Sequence, residues 1–312
     1  ATHTLNANAA KTDLRYDLAI SDLQKATALY AEVADEMDRE AQFSYTTALT
    51  SLGELQLVAG NTEAAWAAYN ERATFAQKRV EADATDVEWV RELVWSMNDL
   101  GSVLQQQGYL KEAETAYSSA LEFSQWQADQ RPDDVDLMRD RQVAVNRVGS
   151  IRLARNNAAG ALDAHVEALG IAQTLLDMEP DNVTYRMDIS FTQERIGDAK
   201  LSLGDKEGAK AAFQTALEIS EALVAEFPGD QVIRRNLSVS YERIGDMLVD
   251  EGDFTTALET YGKALTIREE LAALDPDNKP RQRDLAINFD RIGDVQRFMG
   301  DMDSALISHQ AA

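Results

Sequence analysis

The chain has no cysteine among its 312 residues. That excludes a disulfide frame, a thiolate nucleophile and any cysteine-based zinc site. A cytoplasmic location is the expectation, and the lack of cysteine equally allows an extracytoplasmic one. Histidine is almost as scarce, with His3, His165 and His309 only. No His-x-x-x-His pair occurs, which argues against a catalytic transition metal. No apolar run approaches the ~18–20 residues needed to cross a bilayer, so no membrane insertion is expected. Positive charge is in short supply too: 30 basic against 54 acidic residues give a net charge of −24. Such an excess repels phosphate backbones and anionic lipid, which removes nucleic acid from the partner classes and leaves room for a basic ligand. The plain alternative is a well-solvated acidic surface.

Proline is limited to 5 residues, and four of them (Pro132, Pro180, Pro228, Pro276) stand 48 apart. The same ruler carries Gly53, Gly101, Gly149, Gly197, Gly245 and Gly293. Around the later glycines the text nearly repeats: Gln193-Glu194-Arg195-Ile196-Gly197-Asp198, Tyr241-Glu242-Arg243-Ile244-Gly245-Asp246, and Phe289-Asp290-Arg291-Ile292-Gly293-Asp294. A fixed period of this size means stacked supersecondary units, each burying its apolar face on its neighbours. Every unit reads as two helices. Helix A runs from about twelve residues before the glycine to six after it, as over Ile233–Glu251. A turn follows at Gly60, Gly108, Asn156, Gly204, Gly252 and Gly300, residue types that tolerate the left-handed conformation. Asn61, Asn157, Asp205, Asp253 and Asp301 stand next, placed to cap helix B. Helix B, for example Asp253 to Leu274, stops at the Pro-Asp loops, and Ala84-Thr85-Asp86 replaces the proline in the first unit.

Helix B has its own columns. Alanine stands at 65, 113, 161, 209, 257 and 305, and a ring four residues later at Tyr69, Tyr117, His165, Phe213, Tyr261 and His309. Alanine returns at 120, 168, 216 and 264, with Arg72 the departure. A mid-helix glycine costs ~1 kcal/mol relative to alanine, so its repetition needs a packing reason. Close approach of helix A to the alanines of helix B, with the ring filling the space between units, supplies one. The two histidines in the ring slot are therefore packing residues.

This pattern over residues 41 to 309 resembles the signature of tetratricopeptide repeats. Two departures stand out. The position four before the glycine is large and aromatic only in Tyr241 and Phe289, and the unit is 48 residues long rather than the usual ~34. The long form is similar to arrays in large bacterial signalling and defence proteins, where an effector domain accompanies the array. The resemblance implies an all-α, right-handed superhelical α-solenoid of antiparallel helix pairs. Expected boundaries are a leader over 1–12, an N-terminal capping helix over 13–40, and repeats at 41–86, 87–134, 135–182, 183–230, 231–278 and, truncated, 279–312. The start without methionine and the short last repeat read as an excised piece of a longer protein.

In this family helix A lines the concave face, chiefly three residues before and one after the glycine. Those positions are Asn98, Asn146, then Glu194/Asp198, Glu242/Asp246 and Asp290/Asp294. The asparagines would clamp a peptide backbone; the carboxylates, spaced i, i+4, would form an acidic ladder. Trp95 lies beside Asn98 as an aromatic anchor, or else as packing. Arg147, Arg195, Arg243 and Arg291, with Arg91, Arg139, Arg235 and Arg283 as a second row, offer the alternative of a purely structural ion-pair network. Trp89 reads as core. No nucleophile–base pair, metal box or phosphate loop is visible, so a non-catalytic scaffold or sensor binding protein or peptide, with no cofactor, is the expectation. The alternative is a self-association module that clusters an attached effector, with homo-oligomers forming through the uncapped C-terminal end.

Overall fold

A computed structural model describes the backbone of residues 2–312 and the side chains from Tyr16 onward. Among the described residues there are thirteen α-helices and no strand. They fall into two compact units, up to Asn156 and from Asn157. The first holds α1 (Thr2–Val33), α2 (Arg39–Val58), α3 (Thr62–Ala82), α4 (Val87–Gln106), α5 (Leu110–Gln130) and α6 (Val135–Ala154). The second holds α7 (Ala158–Met178), α8 (Val183–Ser202), α9 (Lys206–Glu226), α10 (Gln231–Glu251), α11 (Phe254–Leu274), α12 (Lys279–Phe298) and α13 (Met302–Ala311). From α2 on, even-numbered helices are the A type and odd-numbered ones the B type; within each type starts are 48 residues apart. Inside each unit every helix packs on the next in sequence. No helix among the described residues is long and apolar enough to cross a membrane.

The helix ends follow from local chemistry. Gly60, Gly108, Gly204, Gly252 and Gly300 have φ between 79° and 83°, and Asn156 takes the same region at 62°. A side chain with a Cβ is strained there, which explains the residue choice. At the opposite edge the side chains of Asp38, Asp86, Asp134, Asn182, Asp230 and Asn278 cap the A helices by accepting from backbone N–H groups of the first turn. The proline-free loop is held by Asp83, whose Oδ1 accepts from the Thr85 amide (2.9 Å) and hydroxyl (2.7 Å).

Three expectations need correcting. Asn61 does not cap α3: its Nδ2 donates to the Oε1 of Gln56 at 2.9 Å, because a buried glutamine acceptor lies within reach. The N-terminal helix begins at Thr2 and takes in the stretch read as a leader, since neither proline nor glycine interrupts it. It also stops at Val33, before the expected end at 40. Finally, what faces the repeat glycine is the ring rather than an alanine. A Cβ built on Gly53, Gly101, Gly197, Gly245 or Gly293 would come within 2.3–2.7 Å of Tyr69, Tyr117, Phe213, Tyr261 or His309 respectively. The ring slot is thus cut into helix A by the missing side chain. The alanine columns are fully buried or nearly so, and close the rest of the A–B interface.

Trp89 is core as expected. It stacks on Phe43 with centroids 4.3 Å apart and meets Phe75 edge-on at 5.7 Å. Tyr45 extends this aromatic cluster, which belongs to the first unit.

Candidate binding face

On helix A, residues six and two before the repeat glycine lie four apart and share one face. In the second unit the first column is Phe191, Val239 and Ile287; Phe191 is exposed and the other two half-buried. Arg195, Arg243 and Arg291 form the second, half-buried, column. In the first unit the corresponding apolar residues are Trp95 and Val143, both half-buried.

The expected contact residues divide by depth. Asn98, Asn146 and Glu194, three before the glycine, are 4–6% exposed, so none of them presents a free head to a ligand on this face. The column is covered by neighbouring helices: Ser240 of the next A helix bonds Glu194, and Arg268 of helix B bonds Glu242. The backbone clamp drawn from Asn98 and Asn146 is corrected accordingly. Asp198, Glu242, Asp246 and Asp294 are partly buried, and Asp290 is exposed.

Within each unit, ion pairs tie an A helix to the next. Arg243 reaches Asp198 at 3.2 Å. Arg291 holds Glu242 at 2.9 Å and also bonds Asp246. Higher on the same helices Arg235 meets Asp284 at 2.7 Å. In the first unit Arg91 meets Asp140 at 2.6 Å and Arg39 meets Glu88 at 2.7 Å. The network alternative therefore describes half of the ladder: Asp198, Glu242 and Asp246 are matched by arginine from the following A helix. Burial raises the Asp246 carboxyl above its usual range despite Tyr261, whose hydroxyl donates to it at 2.6 Å, and Arg291. Arg291 in turn is raised; burial opposes its charge, but Asp246 and Glu242 outweigh it.

Two buried polar clusters escaped the sequence reading. Arg268, 4% exposed, bonds Glu242, donates through Nη1 to the carbonyl of Asp284 at 3.0 Å, and places Nε 3.3 Å from the Ser238 hydroxyl. Glu194 accepts from the Ser240 hydroxyl at 2.9 Å, and the chain of hydroxyls continues through Ser220 to Ser190. Burial raises the Glu194 carboxyl, against the lowering pull of Ser240, Arg195 and Arg243. The signal for Arg268 was an arginine on the alanine-lined face of α11, as Arg72 is on α3. Arg72 reaches Glu92 at 2.7 Å and Asp99 at 2.5 Å.

The histidines in the ring slot differ. His165 is fully buried, and burial followed by the charge of Arg195 depresses its pKa to about 4. His309 is partly exposed, with Nδ1 3.0 Å from Asp290.

Known proteins share parts of the sequence pattern and the fold. Sequence profiles described as tetratricopeptide repeat match residues 93–125, 193–223 and 239–271. No curated protein matches by sequence. Among solved structures, BtubC (BKLC) from P. vanneervenii is similar at a TM-score of 0.60 and 19% identity, over 80% of this chain and 89% of its own. The apo form of RapI is similar at 0.56 and 14% identity, over 96% of this chain and 74% of its own. Matched repeats and the Gly–ring–Ala columns agree that the chain carries tetratricopeptide repeats, in a fold shared with these solved structures.

Proposed function

We propose that the chain is a protein- or peptide-binding scaffold that holds its partner against the helix-A face, as a sensor or scaffold module of a larger bacterial signalling or defence protein. One observation carries the binding reading. Phe191, an aromatic side chain 48% exposed, stands on a face whose polar borders are already fixed by ion pairs between neighbouring helices. An exposed ring on a rigid frame loses little entropy on contact, which is why aromatics dominate binding hot spots. The setting is suggested by the long form of the repeat.

Selection of random displayed dodecapeptides against the whole chain checks the reading. Affinity of the recovered binders should fall at least ten-fold with Phe191→Ser and stay unchanged with Val166→Ser, an exposed position on α7. Binders indifferent to Phe191, or no binders at all, would refute it.

A further inference from the structure

The net charge of −24 points toward a basic partner. The second unit, however, sorts its charge by helix type. The helices α8, α10 and α12 carry eleven basic and ten acidic residues, whereas α7, α9 and α11 carry four and ten. The surplus of negative charge is thus borne by helix B and the loops.

The sorting continues with depth. Arg195 is 24% exposed, against 8% for Glu194 and 15% for Asp198. Arg243 is 27% exposed over that same Asp198. Arg291 is 34% exposed, against 14% for Glu242 and 29% for Asp246. Pairs directed toward helix B run the other way: Glu226 and Glu270 are the exposed partners of Arg186 and Arg234. Side-chain length accounts for the order, since a long arginine stem lies over neighbouring surface and carries its head to water while a carboxylate on a short stem stays beneath. A guanidinium has five donors. The Nε of Arg195, Arg243 and Arg291 is buried and Arg291 already engages both Glu242 and Asp246, so the outer Nη hydrogens are the donors left for a further acceptor.

We propose that the helix-A face of the second unit takes an acidic, apolar segment of a partner protein. Its carboxylates lie over Arg195, Arg243 and Arg291, and its aliphatic or aromatic side chains rest on Phe191, Val239 and Ile287. This rests on the reading of that face as the binding surface, and reverses the partner charge that composition alone gives. The repulsion from the rest of the chain acts at long range and is screened beyond a Debye length of ~10 Å at 0.1 M salt, whereas the arginine contacts act within hydrogen-bonding distance.

The test uses the full chain and three sets of synthetic dodecapeptides, compared by fluorescence anisotropy at physiological salt. One set combines Asp/Glu with Leu/Phe, a second replaces the acids by Lys/Arg, and a third keeps the acids and replaces Leu/Phe by Ser. The acidic–apolar set should bind at least ten-fold tighter than either other set. Phe191→Ser should weaken it ten-fold, and Arg243→Gln should do the same while Arg243→Lys restores most of the loss. Phe191 makes no ion pair, the Arg195 guanidinium lies over its ring at 5.1 Å from the centroid, and far-UV circular dichroism verifies folding of each variant. Tighter binding of the basic set, sensitive to Phe191, would overturn this inference and leave the binding face standing. Absence of any binding that depends on Phe191 would overturn both.

Discussion

Alanine in place of glycine has opposite consequences at two positions of the same repeat. At Gly245 the new Cβ would stand 2.3 Å from Cε1 of Tyr261, where carbon atoms prefer about 3.5–4.0 Å. The ring must therefore retreat by roughly 1 Å. It has little room, being 2% exposed, and its hydroxyl is bonded to Asp246 at 2.6 Å. Overpacking of this kind costs about 1–3 kcal/mol, and a weakened Tyr261–Asp246 bond adds about 1 kcal/mol. Against this, alanine gains ~1 kcal/mol in helix propensity. The net expectation for Gly245→Ala is a loss of about 1–3 kcal/mol. At Gly262, one residue beyond the ring on α11, a Cβ meets nothing within 4 Å. There the propensity gain stands alone, and Gly262→Ala should stabilise by about 0.5–1 kcal/mol. Urea titration followed by far-UV circular dichroism measures both. Tryptophan fluorescence serves poorly because Trp66, Trp89, Trp95 and Trp126 all lie in the first unit. If both variants shift the midpoint in the same direction, the claim that the ring slot requires glycine is wrong.

Two further outcomes follow from buried charge. His165, held near pKa 4 when folded and near 6.5 when unfolded, makes the unfolded chain bind more protons between those values. Its contribution therefore costs stability as pH falls through that window, by about 2 kcal/mol at pH 5 and about 3 kcal/mol at pH 4. His165→Phe, matching the phenylalanine of the same slot at Phe213, should be flatter than the parent by that amount when urea midpoints at pH 7 and pH 5 are compared; parallel profiles would refute the assignment. Arg268→Ala should cost about 3 kcal/mol by leaving the inner side of Glu242 unmatched, and Glu242→Ala in the same chain should recover part of it. Additive losses in that double-mutant cycle would show that the pair is not coupled.

The fold was legible because its determinants are local and recur. Left-handed turn residues, helix caps and the ring–alanine columns each obey one steric rule, and six copies separate the rule from chance. The binding face was less so. Spacing put Glu194 and Asp198 on one face, but only packing shows that the column of Glu194 turns toward α9 and α10 while Arg195 stands outermost. Burial depth depends on the neighbouring helix, which a one-dimensional pattern does not encode. Arg268 eluded the reading for the same reason: its importance comes from Glu242 and the Asp284 carbonyl, on two other helices. Trp89 was readable because the aligned positions in the next three repeats, Leu137, Tyr185 and Ile233, are apolar or aromatic.

The offsets of the inter-helix ion pairs have an evolutionary corollary. Arg243 and Arg291 each find an aspartate 45 residues back, and Arg91 and Arg235 each find one 49 ahead. The first donor and acceptor recur relative to the same origin in the last three copies, as Arg195/Asp198, Arg243/Asp246 and Arg291/Asp294. Duplication of 231–278 would set the added copy's Arg243 45 residues after Asp246, and so rejoin arginine to aspartate across the new junction without a compensating substitution. Gene recombination can lengthen this part of the array by a whole copy while keeping that electrostatic seam.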